Sequence, residues 1–133
     1  MLGRLNHVAI AVTDLKSAAN TYRDILGAKV GEPLDQPEHG VTVVFIELPN
    51  TKVELITPLG ESSPIFNFLN KNQNGGIHHI CYEVKNLDLS MSILTKNNYK
   101  IIGDNPKIGA HGKPVIFLHP SGFDGTLIEL QEE

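Results

Sequence analysis

Cysteine is nearly absent from this sequence, and other scarcities are equally informative. The single Cys81 among 133 residues excludes an intrachain disulfide framework and a zinc site made of several cysteines. No apolar run approaches the roughly 18 residues that a membrane-spanning helix needs. The 11 Lys and Arg residues form no cluster and are outnumbered by 15 Asp and Glu, which argues against a nucleic-acid partner.

Strand and helix signals follow each other through a chain long enough for one domain, or for two half-domains that share a core. In the first half, a helix capped at Thr13 or Asp14 and ended by Gly27 lies among predicted strands at 5–12, 28–32, 41–48 and 52–57. A short helix with Pro64 at its first position links the halves. In the second half, a helix from Leu87 lies among predicted strands at 77–84, 100–102, 115–119 and 126–131, with an irregular loop at 106–114.

The second half repeats the first in residues as well as in pattern. LNHVAIAVTDL (5–15) aligns with IHHICYEVKNL (77–87) at an offset of 72, so that His7 matches His79. KVELI (52–56) aligns with LIELQ (127–131) at an offset of 75, so that Glu54 matches Glu129. This duplication predicts two βαβββ modules, at about 4–60 and about 76–133, joined by a helix at about 63–73 within one domain.

Four side chains, His7, Glu54, His79 and Glu129, are the candidate metal ligands. A pseudo-twofold axis between the modules would bring these equivalent positions together. Imidazole nitrogens with carboxylate oxygens suit divalent ions such as Co²⁺, Mn²⁺, Ni²⁺ or Zn²⁺. Strand alternation alone would also allow each glutamate to face solvent and each histidine to be structural. The matched retention of both residue types in both halves favours the metal site.

The remaining histidines and the cysteine are interpreted as structural. His78 and His79 are neighbours on a strand and face opposite sides, and the repeat selects His79 as the partner of His7. His39, in the turn PEHG, is expected to be exposed, and Cys81 is expected to be a buried thiol. His119 ends a predicted strand and is interpreted as structural, and a supporting role near the metal is the alternative.

These residues resemble those of the vicinal oxygen chelate superfamily, whose members pair βαβββ modules and hold a metal with a residue from each of four strands. Within it, nearly the full length of the chain is similar to the methylmalonyl-CoA epimerase family. The stretches that carry the similarity are NHVAIAV, PEHGV, KVELITPLG, SPI, GGIHHI, KIGAHGKPVIFLHP and GTLIEL. The resemblance implies an α+β fold with curved mixed sheets that enclose a metal site.

The resemblance also implies an isomerase that interconverts the (R) and (S) C2 stereoisomers of methylmalonyl-CoA by 1,1-proton transfer through a metal-stabilised enolate. It carries the metal ligands onto the four candidates above, with Co²⁺ expected first. Some bacterial epimerases have Gln where this chain has Glu54, and a Glu that serves as base where this chain has Val43. That role must pass to other residues here, so we predict Glu54 and Glu129 as the catalytic groups, one for each face of the intermediate.

The implied substrate is a coenzyme A thioester, and the implied assembly is a homodimer. Lys107, His111 and Lys113 lie close together in the loop 106–114 and are candidate substrate-binding residues, with a solvated loop as the alternative. The amino terminus does not read as a secretory signal or a transit peptide. The expected compartment is the mitochondrial matrix if the organism is eukaryotic and the cytoplasm otherwise.

Two other functions are compatible with the pattern. A glyoxalase I-like isomerase that acts on a hemithioacetal would use the same chelation and proton shuttle. A binding protein of this fold would sequester a small molecule without turnover. Resistance-type binders of this kind need no metal, so metal content would separate that class from either enzyme.

Overall fold

The computed structural model describes residues 1–133 and has an α+β fold with nine strands and three α-helices. The strands are β1 (Leu2–Ala11), β2 (Lys29–Val30), β3 (Leu34–Gln36), β4 (Val41–Glu47), β5 (Lys52–Pro58), β6 (Gly76–Val84), β7 (Ile101–Ile108), β8 (Pro114–Leu118) and β9 (Ile128–Glu132). The helices are α1 (Leu15–Asn20), α2 (Ile65–Lys71) and α3 (Leu87–Lys96). No helix combines the length and the apolar character needed to cross a membrane.

The chain forms two compact units, His7–His78 and Met1–Asn6 with His79–Glu133. Each contains the predicted strand–helix–strands order, and the first unit adds the short strand β3, which pairs with β4. The α+β fold with paired βαβββ modules is therefore confirmed. The module limits proposed from the sequence stay a prediction.

In the unit His7–His78, the mixed sheet has the order β2-β4-β5-β1. β1 and β5 are parallel, and β4 is antiparallel to β5. Asp14 caps α1 as predicted, because its Oδ1 accepts a hydrogen bond from the Ser17 amide at 2.9 Å. The helix side of this sheet buries a small apolar core, whose most buried members are Ala19, Val44, Ile46 and Leu55.

In the other unit, the mixed sheet has the order β6-β9-β8-β7, with β6 parallel to β9. Asn86 caps α3 in the same way, since its Oδ1 accepts from the Leu89 amide at 2.8 Å. The core against the helix contains Val84, Leu87, Leu94, Ile116, Leu118, Ile128 and Leu130. Asn6 belongs to this unit and donates from Nδ2 to Glu83 Oε1 at 2.9 Å.

Two expectations about the second half and the linking helix need correction. β7 extends to Ile108, into the segment expected to be an irregular loop, because an edge strand tolerates Pro106 where its pairing with β8 shifts register between Ile102 and Lys107. Its residues are mostly exposed, so they carry no alternation that would reveal a strand. Pro64 is the residue before α2 rather than its first helical residue.

Gly75 is the position where the backbone most clearly requires glycine. Its φ is +82°, and a Cβ there would lie 2.5 Å from the carbonyl oxygen of Ala11. Gly60 has a similar φ of +83° with nothing within 4 Å of the equivalent Cβ, so it is a matched control for backbone strain alone.

We expect Gly60→Ala to lower the free energy of unfolding by about 1–2 kcal/mol through backbone strain. Gly75→Ala should lower it by roughly 2 kcal/mol more, because the strand must move away from the clash. Urea unfolding followed by circular dichroism measures both. An equal loss of unfolding free energy in the two variants would show that the close approach to Ala11 does not affect stability.

Candidate metal and catalytic site

The first candidate pair is His7 with Glu54. In the parallel pairing of β1 and β5, Glu54 is level with Ala9, two residues beyond His7, so strand alternation puts both side chains on one face. His7 is 2% exposed and Glu54 is 6% exposed. His7 Nε2 lies 3.1 Å from Glu54 Oε2. The contact lets both polar groups be buried, since an isolated carboxylate away from water is costly.

The second pair, His79 with Glu129, is built in the same way. Glu129 on β9 is level with Cys81 on β6, two residues beyond His79. His79 Nε2 lies 2.9 Å from Glu129 Oε2, and the two residues are 5% and 6% exposed. The His79 ring also packs edge-on against Phe117, with centroids 5.3 Å apart.

Strand register shows that the two pairs are structural equivalents within their units. Glu54 faces Phe45 across the β4–β5 pairing, and Glu129 faces Phe117 across the β8–β9 pairing. Phe45 and Phe117 are related by the same offset of 72 residues that relates the histidines. The repeat seen in the sequence therefore reproduces the backbone setting of each pair. Both glutamates are buried, which removes the alternative that they face solvent.

The surroundings of the two glutamates differ in polarity. Beside Glu54, the same face of β4 and β5 carries Val43, 0% exposed, and Ile56, 2% exposed. Beside Glu129, the sheet carries Cys81, whose sulfur lies within 4.8 Å of a Glu129 carboxylate oxygen, and the buried Gln131. Gln131 was not predicted as a site residue, although it lies two residues after Glu129 on a strand and therefore on the same face.

The other candidate residues have separate settings. Cys81 is fully buried, as expected. His78 is half-buried and packs edge-on against Phe68, with ring centroids 5.0 Å apart.

His39 is half-buried, so the expectation that it is exposed is wrong. Its turn packs against the chain before α2, where a Cβ on Gly40 would lie 3.1 Å from Ser63 Cα. His119 Nδ1 accepts from the Ser121 amide at 3.1 Å.

The loop candidates divide into surface lysines and a histidine held inside. Lys107 and Lys113 are exposed, and Lys113 Nζ donates to the Glu133 carbonyl oxygen at 3.0 Å. His111 is half-buried, with Nδ1 3.1 Å from Gln131 Oε1 on β9. His111 is therefore the loop candidate that contacts the strand of Glu129.

The donor sets fit a divalent ion of borderline or hard character. Each pair presents one imidazole nitrogen and one carboxylate, both buried and already within 3.1 Å or less of each other. These are the ligand types that Co²⁺, Mn²⁺, Ni²⁺ and Zn²⁺ accept. Coordination requires an unprotonated imidazole nitrogen and an ionised carboxylate, so a metal ion would replace the proton between each histidine and its glutamate.

Comparison with known proteins places this chain in a family. A profile of the glyoxalase/bleomycin resistance protein/dioxygenase superfamily matches residues 6–117, and the chain belongs to that superfamily. It is 61% identical to the ethylmalonyl-CoA/methylmalonyl-CoA epimerase of Cereibacter sphaeroides over 99% of both chains. It is 56% identical to the mitochondrial methylmalonyl-CoA epimerase of Bos taurus, over 98% of this chain and 75% of that protein.

A solved structure shows the same fold with a ligand. A variant of the methylmalonyl-CoA epimerase of Streptomyces coelicolor, in complex with 2-nitronate-propionyl-CoA, superimposes with a TM-score of 0.92. The two sequences are 27% identical, and the alignment covers 100% of this chain and 99% of that one. These similarities support the epimerase interpretation and not the glyoxalase I-like alternative.

Proposed function

We propose that this chain is an epimerase that interconverts the (R) and (S) C2 stereoisomers of methylmalonyl-CoA by moving the C2 proton. The observation that carries the proposal is the occurrence of two buried His–Glu pairs at repeat-equivalent positions. Their setting in a chain 61% identical, end to end, to an epimerase of this type supports it. A nitronate is planar and anionic like the enolate of the thioester, so the ligand of the Streptomyces coelicolor relative also agrees with such an intermediate.

We further propose that His7, Glu54, His79 and Glu129 together hold one divalent ion, with Co²⁺ expected first and Mn²⁺, Ni²⁺ or Zn²⁺ as alternatives. The internal repeat and the matched burial of the two pairs support this ligand set. A divalent ion supplies Lewis-acid stabilisation to the oxyanion that develops when a thioester enolises.

The two glutamates would perform the proton transfer. Glu54 takes the C2 proton from one face of the substrate, and Glu129 delivers a proton to the other face; the reverse reaction exchanges their roles. The position at which some bacterial epimerases carry a glutamate base is occupied here by Val43, which is buried. Each glutamate oxygen that faces a histidine nitrogen is held in place, so the reacting carboxylates are oriented before substrate binds.

The substrate class and the assembly complete the proposal. Lys107, near the end of β7, and Lys113, in the turn that follows, are exposed cations that would approach coenzyme A phosphates, and His111 lies in that turn. We propose a homodimer, with neither nucleic acid nor membrane as partner. The compartment would follow the organism, since one relative is bacterial and another is named as mitochondrial.

Proton NMR of methylmalonyl-CoA in D₂O tests the activity directly. With the Co²⁺-loaded protein, the C2 proton signal should disappear for both stereoisomers, because each proton removed is replaced by deuterium. The protein should not turn over the adduct of methylglyoxal and glutathione. Retention of the C2 signal together with turnover of the adduct would assign the protein to the glyoxalase I-like reaction instead.

The metal ligands are tested by three histidine replacements. Chelation should abolish activity, and Co²⁺ or Mn²⁺ should restore it. His7→Ala and His79→Ala should each lower metal content severalfold, measured by elemental analysis, because each removes a coordinating nitrogen. His78→Ala is the matched control on the adjacent strand position and should keep the parental metal content. Equal metal loss in all three variants would contradict the ligand assignment.

The division of work between the glutamates predicts stereospecific defects. Glu→Gln keeps the size and one possible ligand oxygen but removes the basicity, so metal content is measured alongside rate. Glu54→Gln should still exchange the C2 proton of one stereoisomer for deuterium, but it should not convert that stereoisomer into the other. Glu129→Gln should do the same for the other stereoisomer. Near-parental epimerisation by both metal-loaded variants would refute the two-glutamate mechanism.

A further inference from the structure

The turn between β7 and β8 forms a compact structure beside the second candidate pair. Within it, the Gly109 amide donates to the Lys113 carbonyl oxygen at 2.9 Å, and the Gly112 amide donates to the Gly109 carbonyl oxygen at 3.0 Å. Gly109 itself is buried. The turn 109–113 is therefore closed by its own main chain, and Gly109 is its inward-facing residue.

Gly109 lies close to the Glu129 carboxylate. A Cβ at this position would lie 3.7 Å from Glu129 Oε1 and only 2.9 Å from Val115 Cγ1. The other carboxylate oxygen, Oε2, faces His79 Nε2 at 2.9 Å. Oε2 of Glu129 thus faces His79, while Oε1 is the oxygen nearer to Gly109.

His111 ties this turn to the strand that carries Glu129. Its Nδ1 is 3.1 Å from Oε1 of Gln131, a residue that is 5% exposed and follows Glu129 by two positions on β9. Because an amide oxygen only accepts, Nδ1 carries the hydrogen and donates. The bond therefore fixes both the orientation of the ring and the place of the turn along β9.

The internal repeat indicates that this anchor is not required to build the turn. His111-Gly112 matches His39-Gly40 at the offset of 72 residues, and both glycines have positive φ, +74° and +66°. The position equivalent to Gln131, however, is Ile56, whose side chain cannot accept a hydrogen bond. One module thus has the same kind of turn without this bond, which points to a function for the bond in the other.

We propose that His111 is a positioning residue for Glu129. Hydrogen-bonded to Gln131, it holds the turn 109–113 against β9 with Gly109 next to the Glu129 carboxylate, so that this carboxylate keeps the orientation that faces His79. The inference rests on the proposed function, in which Glu129 transfers the C2 proton of one stereoisomer.

The test compares His111→Leu with His111→Gln in Co²⁺-loaded protein, with C2 proton exchange in D₂O followed separately for each stereoisomer. His111→Leu should slow exchange of the stereoisomer that Glu129→Gln affects by on the order of tenfold or more relative to the other, since small displacements of a reacting group are costly. His111→Gln can donate from its amide to Gln131 Oε1 and should recover most of that rate. Co²⁺ content and the visible Co²⁺ spectrum should match the parent in both variants.

Two further variants separate positioning from other effects. Gln131→Leu removes the acceptor from the opposite partner and should produce the same stereochemical bias as His111→Leu, even if one of the two variants folds poorly. His39→Leu changes the equivalent turn of the other module and should not produce that bias.

Four results would overturn the inference. An unchanged exchange ratio in His111→Leu would show that the bond does not act on Glu129. Equal losses in His111→Leu and His111→Gln would assign the effect to the imidazole itself. A bias from His39→Leu in the same direction would show a general effect of the turns. If the parent protein exchanges neither stereoisomer, the proposed function fails and the inference fails with it, which distinguishes that result from the others.

Discussion

The cost of burying a carboxylate is the constraint on which this site depends. Glu54 and Glu129 are each only 6% exposed on central strands of their sheets, where an unpartnered charge would be strongly disfavoured. Each is accommodated because a histidine two residues away in register places Nε2 against its Oε2. The parallel pairings β1–β5 and β6–β9 create that geometry, so the sheet topology and the chemistry of the site are specified together.

The two halves of the fold share a backbone plan but have diverged in side chains. Around Glu54 the sheet face is aliphatic, with Val43 and Ile56 buried beside it. Around Glu129 it is polar, with Cys81, Gln131 and the turn of His111. A reaction at a single carbon that must treat two faces of a planar intermediate needs a proton carrier on each side, but the two carriers need not be identical. Duplication of the module supplies the two glutamates, and divergence of the neighbouring residues gives each glutamate different surroundings.

The sequence predicts the two His–Glu contacts better than it predicts the local details of the fold. The repeat singles out His7, His79, Glu54 and Glu129 as candidates, since matched residues in two strand contexts carry information that one histidine cannot, and the structure shows each His–Glu pair buried and in contact. The helix caps at Asp14 and Asn86 follow from local hydrogen bonding, and the first of them was predicted. The extent of β7 was missed because an exposed edge strand has no hydrophobic alternation. The contact of His111 with Gln131 depends on tertiary placement, which spacing along the chain does not encode.

In the proposed mechanism, the two His–Glu pairs act as one metal site rather than as two separate ones. Equilibrium dialysis of the intact protein against Co²⁺ measures this most directly, as the number of ions bound per chain at saturation. One ion per chain is expected. Replacing either pair, as in the double variants His7→Ala with Glu54→Ala or His79→Ala with Glu129→Ala, should abolish high-affinity binding. Two ions per chain in the parent, with one retained after either pair is removed, would contradict the single shared site.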